Sequence, residues 1–94
     1  MKLSWSRAAL ADLNRFAAFL QDHHPALARR IGAEILKRAE VLSDYPEFGR
    51  PIRDRDFREL VLPVMGGTYV LRYAYGANGV VILRVFHSRE QRDT

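Results

Sequence analysis

The chain has 94 residues, with 15 lysines and arginines against 11 aspartates and glutamates, for a net charge of +4. This length corresponds to a single domain over residues 1–94 that buries roughly 60 % of its unfolded surface. The absence of cysteine excludes disulfides and thiolate zinc sites. The sequence shows neither an apolar run of ~20 residues nor a secretory signal, so we expect a cytoplasmic protein with no membrane segment.

The chain begins with a strand candidate, Lys2 to Trp5, followed by a helix. Ser6 occupies the N-cap position, and the helix is predicted from Arg7 to about Asp22. Its apolar residues recur at spacings of three and four, which predicts one buried stripe with Asp12 outside it. The stripe comprises Ala9, Leu10, Leu13, Phe16, Ala17 and Leu20.

A second helix is predicted from Pro25, a residue suited to a first helical turn, to about Asp44. Its inward-facing residues are predicted to be Leu27, Ala28, Ile31, Ile35, Leu36, Ala39 and Leu42. Gly32 lies inside this helix at a cost in helix propensity, and we expect close approach to the first helix to explain it. The two helices should therefore form an antiparallel hairpin.

Three β-rich segments follow a loop over 46–56, namely Phe57 to Val64, Thr68 to Tyr75 and Val80 to His87. Asn78-Gly79 is typical of a tight turn between the last two strands. The order β-α-α-β-β-β predicts an α+β fold, with the helical hairpin packed on one face of a small, mainly antiparallel sheet.

Alternation of side chains predicts the two faces of the last hairpin. One face should hold Tyr69, Leu71, Tyr73, Tyr75, Ile82, Arg84 and Phe86, and the other Val70, Arg72, Ala74, Val81, Leu83, Val85 and His87. One face must cover the helices. The other is too apolar to remain in water, so we expect a partner or the C-terminal tail to cover it.

Five segments of the sequence resemble the RelE/ParE superfamily of bacterial toxins. They are WSRAALADL at 5–13, PEFGRP at 46–51, RELVLP at 58–63, YVLRY at 69–73 and VILRVFHSR at 81–89. The resemblance covers nearly the whole chain and implies the toxin component of a type II toxin–antitoxin pair.

The superfamily has two functional branches. RelE-like members are ribosome-dependent mRNA endonucleases, whereas ParE-like members inhibit DNA gyrase. RelE-like toxins typically carry an arginine at the position matching Val70, another near the position matching Ser88 and often a tyrosine near Arg92. Here those positions hold valine, serine and arginine. The resemblance is therefore closer to the ParE-like branch, with no catalytic residue of its own. It implies neutralisation by a ParD-like antitoxin with an acidic C-terminal segment, and no sequence-specific DNA binding by this chain.

The candidate site residues follow from the same resemblance. If the chain were a nuclease, its base, acid and cations would come from Arg58, Arg72, Arg84 and His87. As partner-binding residues we expect Arg58, Arg72, Tyr73, Arg84, His87, Arg89 and Arg92. A third alternative is a non-toxic family member that acts only as a binding module.

The residues alone also allow simpler interpretations. A histidine such as His87 on an aliphatic strand face is more often packed than catalytic, and Arg72 and Arg84 could cover apolar sheet with their stems. His23-His24 lacks a third ligand at a suitable spacing, so we expect no metal and no cofactor.

Overall fold

Two long helices pack on a five-stranded sheet in the computed structural model, which describes residues 1–89. The elements are β1 Leu3–Trp5, α1 Arg7–Gln21, α2 Pro25–Ala39, α3 Val41–Asp44, β2 Arg50–Pro51, β3 Arg58–Val64, β4 Gly67–Gly76 and β5 Gly79–His87. The strand order is β1-β5-β4-β3-β2, in which only β1 and β5 run parallel. The predicted fold class and element order are confirmed. The short strand β2 is the exception, because it lies in the segment predicted to be a loop.

Helix α1 begins as predicted, because the Ser6 hydroxyl accepts a hydrogen bond from the Ala9 amide at 3.0 Å. Two assignments in its stripe are wrong. Leu10 is 45 % exposed, whereas Asp12 is buried. The reason is that Asp12 lies over the edge of β5, where its carboxylate meets polar groups that require a charged partner.

The second predicted helix is divided at Glu40. There the Glu40 amide bonds the Lys37 carbonyl at 3.3 Å, so the bonding tightens from four residues to three and α2 ends. The inward assignment of Leu36 is wrong, since this side chain is 44 % exposed. The explanation offered for Gly32 is also wrong, because no heavy atom lies within 4 Å of where its β-carbon would be.

The register of the β4–β5 hairpin corrects the predicted faces. Tyr73 pairs with Ile82 but Arg72 pairs with Arg84, so Leu83 is an extra residue on β5. Such a bulge reverses the alternation beyond it. As a result Val85 and His87 share a face with Tyr69, whereas Arg84 and Phe86 share the opposite face with Arg72.

The bulge occurs just beyond the end of β1, where the edge of β5 is bordered by the start of α1 instead of by a strand. The Ser6 amide donates to the Ile82 carbonyl at 2.9 Å, and the Ser6 hydroxyl donates to the Leu83 carbonyl at 2.8 Å. The Val85 amide then donates to the Asp12 carboxylate at 2.8 Å. Side chains and the helix start thus satisfy backbone groups that a longer β1 would have paired.

The hairpin turn lies one residue earlier than predicted. Gly76 pairs with Gly79, which leaves Ala77 and Asn78 as the loop. Gly79 adopts a φ of +117°, and a β-carbon there would lie 2.4 Å from the Lys2 carbonyl oxygen. Glycine is therefore required at this position because β1 passes close beside the turn.

Candidate functional site

Arg72 lies in a stacked cluster on the sheet face opposite the helices. Its guanidinium donates two hydrogen bonds to the Glu59 carboxylate, at 3.0 and 3.2 Å. The guanidinium carbon also lies 4.3 Å from the ring centroid of Phe57 and 4.9 Å from that of Phe86. Arg72 is buried, and within the chain its guanidinium contacts Glu59 and the rings of Phe57 and Phe86.

Arg84 is the cross-strand neighbour of Arg72, but its guanidinium pairs with α1. It donates to both oxygens of Asp12, at 2.8 and 3.0 Å, and it lies 5.2 Å from the Phe86 ring centroid. The Arg84 side chain is 41 % exposed, whereas that of Asp12 is 4 % exposed. This pair joins the helical hairpin to the sheet.

Asp12 stays ionised despite its burial. Burial by itself raises the pKa of this carboxyl group, but hydrogen bonds from Arg84 and Val85 and the charges of Arg84 and Arg15 outweigh that effect. The pKa of Asp12 is therefore lowered below its ordinary value of 3.8.

Arg58 and Tyr73 fix the loop that precedes β2. The Tyr73 hydroxyl donates to the Pro46 carbonyl at 2.6 Å and accepts from the Gly49 amide at 2.8 Å. Arg58 donates to the Gly49 carbonyl at 2.8 Å, and its guanidinium lies 5.8 Å from the ring of Tyr75. Tyr73 is fully buried, and burial raises the pKa of its hydroxyl above 10. Tyr73 therefore supports the loop from the interior of the chain.

His87 lies away from these three arginines. It pairs with Tyr69 at the end of β5, where the two rings meet edge to face at 5.2 Å, and its Nδ1 accepts from the Arg89 amide at 3.2 Å. Arg58 pairs with Tyr73, four residues further along β4, which corresponds to about 13 Å. Arg72 and Arg84 lie on the opposite face. The four residues of the nuclease alternative do not converge on one open site.

A groove with basic groups at its rim runs between α1 and the end of β5. Its volume is about 530 Å³, and it is lined by Arg15, Phe16, Phe19, Leu20, Tyr69, His87 and Arg89. We call it the basic groove. Phe19 is 74 % exposed, and among residues 1–89 none of those that line the groove is acidic. Its chemistry suits an amphipathic segment that carries carboxylates. Of the expected partner-binding residues, His87 and Arg89 lie here, and Arg92 lies outside the described residues.

Two features are absent from residues 1–89. No helix in this range is both long and apolar enough to cross a membrane. The same range holds no group of three histidines, aspartates or glutamates placed to bind a metal ion.

Sequence reasoning missed Asp12, Gly49 and the groove residue Phe19. An acidic residue one position from the apolar stripe was a weak signal for Asp12. The glycine between two prolines in PEFGRP pointed to a close approach at Gly49, where a β-carbon would lie 2.6 Å from the Tyr73 ring. Phe19 gave no signal, because an exposed phenylalanine is not distinguishable by spacing alone.

Several known proteins are similar to this chain in sequence or fold. The family model for the ParE toxin of the type II toxin–antitoxin system parDE matches residues 3–92. Toxin RelE3 of Caulobacter vibrioides is 36 % identical over 84 residues, covering 89 % of this chain and 90 % of that protein. Toxin RelE2 of the same organism is 36 % identical over 85 residues, covering 89 % and 91 %.

Among solved structures, a chain from the chromosomal ParDE toxin–antitoxin system of P. aeruginosa superposes with a TM-score of 0.78 at 23 % identity. The match covers 93 % of this chain and 95 % of that one, which shows that the fold is shared. Because the family model covers almost the entire sequence, this chain belongs to the ParE toxin family of type II toxin–antitoxin systems, within the RelE/ParE superfamily.

Proposed function

We propose that this toxin acts by inhibiting DNA gyrase and carries no nuclease site of its own. The observation that supports this most strongly is the separation of Arg58, Arg72, Arg84 and His87 described above. Metal-free RNA cleavage needs a base, an acid and cations around one phosphate. Here Arg84 is held by Asp12 and Arg72 by Glu59, and His87 lies on the other side of the sheet.

We propose further that a ParD-like antitoxin neutralises the toxin by placing an acidic, amphipathic C-terminal segment in the basic groove. The apolar face of the segment would cover Phe16, Phe19 and Leu20. Its carboxylates would pair with Arg15 and Arg89 at the rim. A segment that orders on binding can wrap such a groove.

The test of the target combines two measurements on cells in which the toxin is induced without antitoxin. We expect plasmid supercoiling by gyrase to fall and cleaved DNA to accumulate, with mRNA left intact in primer extension. Cut mRNA with normal supercoiling would establish the RelE-like alternative, which the names of the Caulobacter relatives favour. In that case His87→Gln should abolish cleavage. Normal growth on induction would instead support the binding-module alternative.

The test of the groove uses Phe19→Asp with Arg89→Glu. A carboxylate placed in the groove and a reversed rim charge should weaken binding of the cognate antitoxin by about tenfold or more, measured by calorimetry. Phe48→Asp is the matched control, because Phe48 is a similarly exposed phenylalanine outside this groove. Equal losses in both variants would refute the assignment of the groove.

A further inference from the structure

The outer edge of β1 is a second place where a chain could bind. β1 is the terminal strand of the sheet and lies beside the start of β5, whereas the basic groove lies at the other end of β5. The Val80 amide donates to the Lys2 carbonyl at 2.7 Å, and the Ser6 amide donates to Ile82. Since backbone groups alternate along a strand, the amides and carbonyls of Leu3 and Trp5 point away from β5.

These outward groups border a groove of about 790 Å³ between β1 and the junction of α2 and α3. Its apolar lining includes Leu3, Trp5, Leu36 and Val41, and its charged lining residues are Glu40 and Asp44. We call it the acidic groove. Among residues 1–89 no lysine or arginine lines it, although the chain carries a net charge of +4. The Met1 ammonium is a cation at its border, where it donates to the carbonyl of the lining residue Ser43 at 2.8 Å. Both carboxylates are exposed.

The spacing of the two carboxylates matches an extended chain. Glu40 and Asp44 are separated by one helical turn, which corresponds to about 6 Å along the axis. Side chains on one face of a strand recur every ~6.7 Å. Both carboxylates line the groove beside β1, so cations at alternate positions of a strand paired with β1 would lie on the side of these carboxylates. Their aliphatic stems would cover Trp5 and Leu36.

We propose that the β1 edge binds an extended segment of a partner polypeptide, with lysine or arginine at alternate positions, as a sixth strand of the sheet. Backbone hydrogen bonds to Leu3 and Trp5 would fix the register of the partner segment, and Glu40 and Asp44 would favour a segment with basic side chains. An acidic segment of the kind proposed for the basic groove is disfavoured here by like charges. The site is therefore distinct from the one in the proposed function, and its partner has the opposite charge.

The test uses Trp5, the single tryptophan of the chain, as the reporter. The purified chain is titrated with a blocked heptapeptide of alternating threonine and lysine, and Trp5 emission is followed together with the anisotropy of a labelled peptide. We expect a saturable change in both signals. Two control peptides, one with glutamate for lysine and one N-methylated at alternate backbone nitrogens, should bind at least about tenfold more weakly.

Charge-reversing variants locate the site. Glu40→Lys combined with Asp44→Lys should raise the dissociation constant of the lysine peptide at least about tenfold. Asp56→Lys, an exposed reversal outside the groove, should change it by less than about twofold. Far-UV circular dichroism checks that each variant is folded.

Three outcomes would overturn the proposal. They are equal binding of the N-methylated peptide, unchanged affinity in the double reversal, and a concentration-dependent dimer in sedimentation that excludes the peptide. Loss of antitoxin binding in the basic-groove variants would leave these results unaffected, so the two proposals fail separately.

Discussion

The sheet with its attached loop and the helical hairpin are held together in different ways. In the sheet half, specific polar contacts fix the geometry, since Tyr73 bonds both Pro46 and Gly49 and Arg72 pairs with Glu59. The hairpin of α1 and α2 packs mainly through apolar side chains and leaves Phe19 exposed. Asp12 is the buried charge through which it is bonded to β5.

This difference explains where a partner could bind. Polar groups that satisfy one another inside the sheet half have little to offer an outside molecule. Apolar side chains that remain exposed on the hairpin gain free energy only when another chain covers them. Because Phe48, Val61 and Tyr75 are exposed in the sheet half as well, exposure alone does not choose between the halves. The helical half is favoured for the antitoxin because Arg15 and Arg89 lie beside its exposed Phe19 in the basic groove.

Asp12→Ala should have the largest effect, because it removes the buried carboxylate that pairs α1 with β5. It leaves the Val85 amide without its acceptor and Arg84 without its carboxylate. Loss of one partner of a buried pair costs 3–5 kcal/mol, and the partial exposure of Arg84 reduces this to about 3 kcal/mol of unfolding free energy. Urea denaturation measures it.

The control for this change is Asn14→Ala, an exposed polar residue on the same helix. Its effect should stay within about 0.5 kcal/mol. If Asp12→Ala cost no more than Asn14→Ala, the Asp12 ion pair would add nothing to the stability of the contact between α1 and β5.

Gly49→Ala tests the sheet half. The added β-carbon would lie 2.6 Å from a ring carbon of Tyr73 and 2.7 Å from the Tyr73 hydroxyl oxygen. It would also lie 2.9 Å from the Glu59 carbonyl oxygen. Because these atoms belong to a buried ring and to the backbone, we expect the free energy of unfolding measured by urea denaturation to fall by about 2 kcal/mol. Gly76→Ala, where nothing lies within 4 Å of the new carbon, should cost clearly less.

The dependence of stability on pH separates the contribution of the Asp12 charge from that of its side-chain packing. Because the folded pKa lies below the ordinary value of 3.8, the unfolded chain binds the proton more readily. The carboxylate therefore stabilises the fold above that pH, and this contribution is lost as the pH falls through the folded pKa. Asp12→Asn cannot be protonated, so its stability should fall less steeply than that of the wild type between about pH 5 and pH 2. Parallel curves in thermal denaturation would contradict this role.

The elements of the fold could be predicted, whereas their registers could not. Apolar spacing predicted α1 and most of α2, and the Ser6 cap was predicted from its type and position. The bulge at Leu83 has no local signature, because it arises where α1 replaces β1 beside β5. One extra residue then exchanged the faces assigned to Arg84 and Val85.

The candidate site shows the same division. Side-chain chemistry and family resemblance predicted candidate partner-binding residues, and two of them, His87 and Arg89, lie in the basic groove. They could not predict that Asp12 and Glu59 neutralise two of the arginines, because these pairs join residues 72 and 13 positions apart. Whether an arginine is available depends on such long-range partners.

Gly32→Ala should have the smallest effect and the opposite sign. Gly32 lies inside α2, and an added β-carbon would meet no heavy atom within 4 Å. Alanine should therefore raise the unfolding free energy by about 0.8–1 kcal/mol, since glycine is the poorer helix former. If thermal denaturation instead showed a lower unfolding free energy, the contact between α1 and α2 would be as closely packed as the sheet half around Gly49. A gain would confirm that the helical half has room where the sheet half has none.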